Sequence, residues 1–189
     1  SAAADCTVGD GDCAAPPPPP VEPPPPPASG LVAGVEVVST SGVAGMTTVR
    51  LSVTLDAASQ TNVYAVAGTD ATIALTLPAA YQVLAPFGAD IGGVSPAFFP
   101  IANNAALGFA EFDSWLTIGV TDGSAPGSIS ASPGFDIATL WTESEALDQN
   151  DVAIFFMDPA TMAANSGSDP IVIVQMTISA ADASGGQAT

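Results

Sequence analysis

Between residues 31 and 180, apolar and polar positions alternate in short runs. Over 47–56 (TTVRLSVTLD), Val49, Leu51, Val53 and Leu55 share one face, and Thr48, Arg50, Ser52, Thr54 and Asp56 share the other. That period of two predicts a strand with one wet face. Residues 71–77 repeat it with Ile73, Leu75 and Leu77 inward, 112–120 with Phe112, Leu116, Ile118 and Val120, and 170–179 with Val172, Val174, Met176 and Ile178. The run 151–158 (DVAIFFMD) is apolar on both faces and suits a central strand. Weaker strand signals cover 31–39, 62–68, 81–84 and 135–141, and a single helical turn is predicted at 142–147. Clusters of Gly, Pro, Asp and Ser, such as TDGSAPGS and NSGSDP, punctuate the runs. The pattern predicts an all-β fold, an antiparallel sandwich of about eight or nine strands with Ig-like or jelly-roll-like architecture.

Before residue 31 the pattern changes. Residues 16–27 read PPPPPVEPPPPP and hold ten of the 18 prolines. Proline fixes φ and has no N–H, so this stretch is neither helix nor inner strand. A polyproline II rod is expected, rising ~3.1 Å per residue. The expected organisation is a short N-terminal segment at 1–15, a stalk at 16–30, the sandwich at 31–180 and a flexible tail at 181–189. Cys6 and Cys13 stand close together in the first segment, and in an exported chain they would close a local disulfide.

Charge narrows the partners. Nineteen acidic residues face one basic residue, Arg50, and there is no His, so the formal net charge is -18. Nucleic acid and anionic membrane surfaces would repel such a chain. No apolar run approaches the ~20 residues of a membrane-spanning helix. Divalent cations, neutral glycans and further copies of the chain remain as partners. The composition is 48% hydrophobic, which argues for a packed core rather than disorder.

Candidate chemistry is sparse. Without His or Lys, most general bases and activated nucleophiles are missing, and no enzyme is expected. A carboxylate pair can run glycoside hydrolysis, and Glu111 with Asp113, or Glu143 with Glu145, have the spacing to share a strand face. Solvated surface carboxylates are the commoner use of such pairs. Calcium is the one cofactor left open, at Asp148, Asn150 and Asp151 or at Asp5, Asp10 and Asp12, although neither group matches an EF-hand and Asp and Asn also favour turns. Trp115, Trp141, Phe98, Phe99, Phe109 and Phe112 could stack on sugars, but core filling is the usual role of such residues. Trp115 lies opposite Phe112 and Leu116 by parity, toward the second sheet or a neighbouring subunit. No Asn has the N-x-[ST] pattern, so sugar would be O-linked. The candidate positions are Pro16, Pro17, Pro18, Pro19, Pro20, Pro23, Pro24, Pro25, Pro26 and Pro27.

The succession TTVRLSVTL, VYAVAG, AFFP, FDSWLTIG, VAIFFMDP and VIVQMTI resembles uncharacterised extracellular β-domains that recur in large surface proteins of bacteria and protists. The proline tract resembles hydroxyproline-rich glycoproteins of algal walls. Together these resemblances imply a secreted, glycan-coated fibril or surface-layer subunit that polymerises non-covalently with copies of itself. The alternatives are a carbohydrate- or calcium-binding adhesin module and, more distantly, a carboxylate-dependent glycosidase. For assembly, Leu31, Val32, Val35 and Val37 in the run after the proline tract are the candidate contacts, as a strand donated to an open sheet edge. Arg50 joins them as the residue expected to meet a carboxylate.

Overall fold

The computed structural model describes residues 31–56, 62–70, 72–124, 127–158 and 169–185. The N-terminal segment and proline stalk lie outside them. The described residues form an all-β fold whose strand ladders are antiparallel. In chain order the strands are β1 (Val32–Ser39), β2 (Met46–Thr54), β3 (Ala65–Gly68), β4 (Leu75–Leu77), β5 (Asn103–Asn104), β6 (Gly108–Phe109), β7 (Trp115–Leu116), β8 (Ile129–Ala131), β9 (Leu147–Gln149), β10 (Val152–Phe156) and β11 (Ile171–Ser179). Three short helices join them: α1 (Phe99–Ala102), α2 (Ile137–Leu140) and α3 (Ala180–Gly185). Among the described residues, no helix is long and apolar enough to cross a membrane.

The main sheet has the order β1-β2-β11-β7. Its inner face contributes Val49, Leu116, Val174, Met176 and Ile178 to the principal core. The opposing layer consists of β3-β10-β8 and the β4-β9 pair, which supply Leu75, Leu77, Ile129, Leu147 and Ile154. Two apolar faces closing on one another give the sandwich-like core that period-two strands require. β10 takes the middle position of its sheet, as its apolar character on both faces predicts.

The other face of the main sheet is not uniformly wet. Residues 87–115 make an excursion over it and form a second, smaller core of Val94, Ala102, Ala110 and Trp115. Thr48, Gln175 and Thr177, all polar and on strands, are buried there. They are tolerated because each is hydrogen-bonded. Thr48 Oγ1 lies 2.7 Å from Thr177 Oγ1, and Thr177 Oγ1 donates to the Phe112 carbonyl at 2.6 Å. Gln175 Nε2 donates to the carbonyls of Asp113 and Glu111 at 2.8 and 3.1 Å. The polar alternation that reads as a solvated face is thus a seam holding a crossing chain segment.

Several local expectations change. Of the expected strand at 71–77, residues 72–77 are described and form a strand only at β4; the Asp70 carboxylate accepts the Thr72 and Ile73 amides, leaving Ile73 exposed. The stretch 135–141 contains α2 instead of a strand. Ile137 and Trp141 are four residues apart and both buried, a helical spacing. The turn at 142–147 is not helical: Thr142 Oγ1 accepts the Ser144 and Glu145 amides, and β9 begins at Leu147. In β11 an irregularity between Val172 and Val174 breaks the parity, so Val172 packs on the second core while Ile173 and Val174 meet the principal one. Ala180–Gly185, expected to open a flexible tail, form α3. Ser179 Oγ accepts the Asp182 amide and donates to the Asp182 carboxylate, a local cap that starts a helix where the strand stops.

Candidate assembly surface

β1 is an edge strand. It pairs with β2 along its length and has no strand on its other side among the described residues. The register sets Val37 opposite Val49 and Val35 opposite Leu51, so the odd-numbered side chains of β1 continue the inner apolar face. Val49 is buried, yet Val35 is 70% and Val37 58% exposed. The opposing layer stops short of β1. Val32, 64% exposed, adds apolar surface on the other face, and Val38 lies at a register shift between Val37 and Ser39. Before that irregularity the edge lacks the Lys, Pro or inward charge that commonly blunts such strands.

Beneath this overhang lies an open cleft of about 420 Å³. Ala33 and Val35 of β1, Leu51 of β2, Val66 of β3, and Leu75 and Leu77 of β4 are among its walls. β3 is itself the edge strand of its sheet. Two sheet edges therefore flank one apolar opening on the same side of the sandwich.

Arg50 lies on the opposite face of β2. The register places Glu36, Arg50, Gln175 and Trp115 in one row across the four strands of the main sheet. Arg50 Nε donates to Gln175 Oε1 at 2.9 Å, and its guanidinium carbon sits 5.7 Å from the centre of the Trp115 ring. Among the described residues these are its contacts, an amide and an aromatic face, with Glu36 its cross-strand neighbour in register. Trp115 does lie opposite Leu116, but the second sheet is on the Leu116 side, and a second core built by the 87–115 excursion covers Trp115. Arg50→Met should lower stability by about 1–2 kcal/mol, from the lost stack and hydrogen bond. Thermal unfolding of the variant checks this.

The carboxylates singled out in the sequence separate. Glu111 is exposed and accepts a hydrogen bond from Asn103 Nδ2 at 3.0 Å. Asp113, two residues on, is fully buried. Its Oδ1 accepts the amides of Val83 at 2.7 Å and Ser114 at 2.9 Å, and its Oδ2 accepts that of Ala89 at 2.7 Å. Burial pushes its pKa up to about 7, against the pull of those three amides and with the nearby Asp90 charge adding to the rise. Asp113 thus ties residues 83–89 to the main sheet, and its oxygens are occupied by backbone. Glu143 and Glu145 are exposed on a turn. Sequence reasoning missed this role for Asp113, since its remote partners are backbone amides that carry no residue signature.

The aromatics also divide. Trp115 and Trp141 are buried, and Trp141 Nε1 donates to the Pro78 carbonyl at 2.7 Å. Phe98 packs edge-on against Phe87 at 5.9 Å. Trp115 and Trp141 are core filling and offer no ring face for a sugar. Asp148, Asn150 and Asp151 are exposed, and Asp151 has a left-handed φ of 57° at the passage from β9 to β10. A turn function explains Asn150 and Asp151, whereas Asp148 lies on β9 opposite Thr76. Among the described residues, no group of three or more His, Cys, Asp or Glu side chains is placed to hold a metal ion. Asp5, Asp10, Asp12, Cys6, Cys13 and the candidate prolines lie outside the described residues, so the disulfide, stalk and glycan expectations do too.

Comparison with family models, with curated proteins and with solved structures found no match.

Proposed function

We propose that this chain is a self-associating structural subunit of an extracellular fibril or surface layer. The observation that carries the reading is β1. It follows directly on the proline tract, stands at a sheet edge, and keeps Val35 and Val37 largely exposed on the face that carries an apolar cleft, and Val32 on the other. Soluble domains seldom leave such an edge open unless it is used. The remaining support is compositional. A stiff proline tract suits a spacer and an O-glycan carrier. The acidic surface discourages anionic partners and unselective aggregation.

The same charge makes association salt-dependent. Copies at -18 repel one another, so assembly is expected to strengthen as salt screens that repulsion. Light scattering of the full chain from low to ~0.5 M salt, with negative-stain microscopy of the same samples, tests the reading. Mass rising with salt and concentration, with filaments or layers on the grid, is the expected result. A monomer at every salt and protein concentration overturns it.

A further inference from the structure

We propose that two copies of this chain join through β1, antiparallel and centred on Val35, into one continuous eight-stranded sheet. This deepens the self-association reading and rests on it.

The first argument is who can fill the edge. The chain outside the described residues offers no suitable strand. Residues 16–27 are mainly prolines, which lack the N–H that a ladder needs. Residues 1–15 (SAAADCTVGDGDCAA), 57–61 (AASQT), 159–168 (PATMAANSGS) and 186–189 (GQAT) lack the alternation of large apolar residues that would match the inner face of β1. A second copy of β1 has it.

The second argument is register. Centred on Val35, the pairing sets Ala33 against the second copy's Val37, Gly34 against its Glu36, and Val35 against its Val35, all within the part of β1 that precedes its register shift after Val37. Each pair matches in face. Val37 meets the small Ala33, and the Glu36 side chain lies over Gly34, which has none. Centring one residue later would set Glu36 against its own copy, two like charges opposed. A shift that pairs odd with even positions would turn the two inner apolar faces to opposite sides of the joined sheet.

The third argument is charge. Residues 31–39 contain one acid of the chain's 19, so β1 is a place where two highly anionic copies can meet with little local repulsion. The two-fold contact keeps both inner faces on one side. The two clefts then open toward each other, and Val35 and Val37 lose the exposure they have in the single chain. Such an isologous contact closes on itself, so it makes a dimeric unit and a fibril would need a second contact.

Two double variants test the register, because Ala33 and Val37 are both exposed and neither belongs to the core. Ala33→Lys with Val37→Glu places opposite charges across the proposed contact at two symmetric positions. Ala33→Lys with Val37→Lys places like charges there, although it lowers the net negative charge and so should favour association by any unspecific route. Sedimentation equilibrium of the full chains is the measurement, with circular dichroism to confirm folding. The expected result is that the Lys/Lys chain dimerises about tenfold more weakly than the Lys/Glu chain. Equal or reversed affinities, with wild-type association intact, overturn the β1 pairing and leave the structural-subunit reading standing. A wild-type chain that stays monomeric overturns both.

Discussion

Asp113→Asn is expected to destabilise the domain by about 3–5 kcal/mol at pH 5, with the loss visible as a lower midpoint in thermal or urea unfolding. At that pH the carboxyl carries its proton, and both oxygens still accept amides, from Val83 and Ser114 on one and from Ala89 on the other, because a hydroxyl oxygen keeps a lone pair for an N–H where an NH₂ does not. An asparagine must turn its NH₂ toward one of those donors. Whichever way the side chain faces, a buried N–H then points at another N–H, and water cannot reach to relieve it. The same tie has a second weak point at Gly88. A Cβ there would sit 1.7 Å from the Val83 carbonyl oxygen, a backbone atom that cannot swing aside. Gly88→Ala should therefore force the 83–89 segment off Asp113. If both substitutions break one tie, their combined effect should fall short of the sum of the two. Additive losses would mean that the segment is held by something else.

Asp113 also sets a pH dependence. Its pKa rises from 3.8 to about 7 on folding, chiefly through burial. The folded chain then keeps a proton that the unfolded chain has released, so stability is full below about pH 4 and is lost as pH climbs through about 7. The unfolding midpoint should fall between pH 4.5 and 8.5. Repulsion among the 19 acids works in the same direction. The Asn variant separates the two, since it cannot titrate at this position. Its midpoint should vary less with pH than that of the wild type, and the gap between the two proteins should narrow at high pH. A gap that widens as pH rises would show that the three amides, not burial, govern this carboxyl.

How far the sequence carries depends on where each element finds its partners. β2 and β11 were legible because their apolar positions alternate with a period of two over most of each strand, Thr48–Thr54 and Val174–Ser179. β10 was legible as a central strand because its run is apolar throughout, and it has a strand on either side. Where backbone or a short polar side chain decides the conformation, the period fails. Asp70 and Thr142 each capture two amides and turn the chain before a strand or helix can form. The spacing of Ile137 and Trp141 was a readable helical signal, masked by the β-branched and aromatic composition of 135–141. The polar face of β2 read as solvated because alternation reports which side chains are apolar, not what lies over the polar ones. Thr48, Gln175 and Thr177 are buried under residues distant in the chain. The run 31–39 read either as a strand donated to a neighbour or as the first strand of its own sandwich, and alternation alone does not separate the two; it forms β1, at the edge of its own sheet.

Trp141→Ala is expected to cost about 3–5 kcal/mol, comparable with the loss at Asp113 but by a different route. Trp141 is fully buried in the principal core, at the end of α2 and among residues of both layers. Removing the indole leaves a void that the surrounding strands cannot fill without shifting their ladders. It also orphans the Pro78 carbonyl, which accepts the indole N–H at 2.7 Å just beyond β4. The two contributions can be separated. Trp141→Phe keeps most of the ring volume and loses the hydrogen bond, so it should cost only about 1–2 kcal/mol. β4 is one wall of the cleft under β1, through Leu75 and Leu77. An unmoored Pro78 therefore loosens the opening as well as the core. The alanine variant should bind a hydrophobic dye such as ANS more strongly than wild type at temperatures well below its unfolding midpoint, while the phenylalanine variant should not. Equal dye binding by all three proteins would show that the cleft wall is held independently of Trp141.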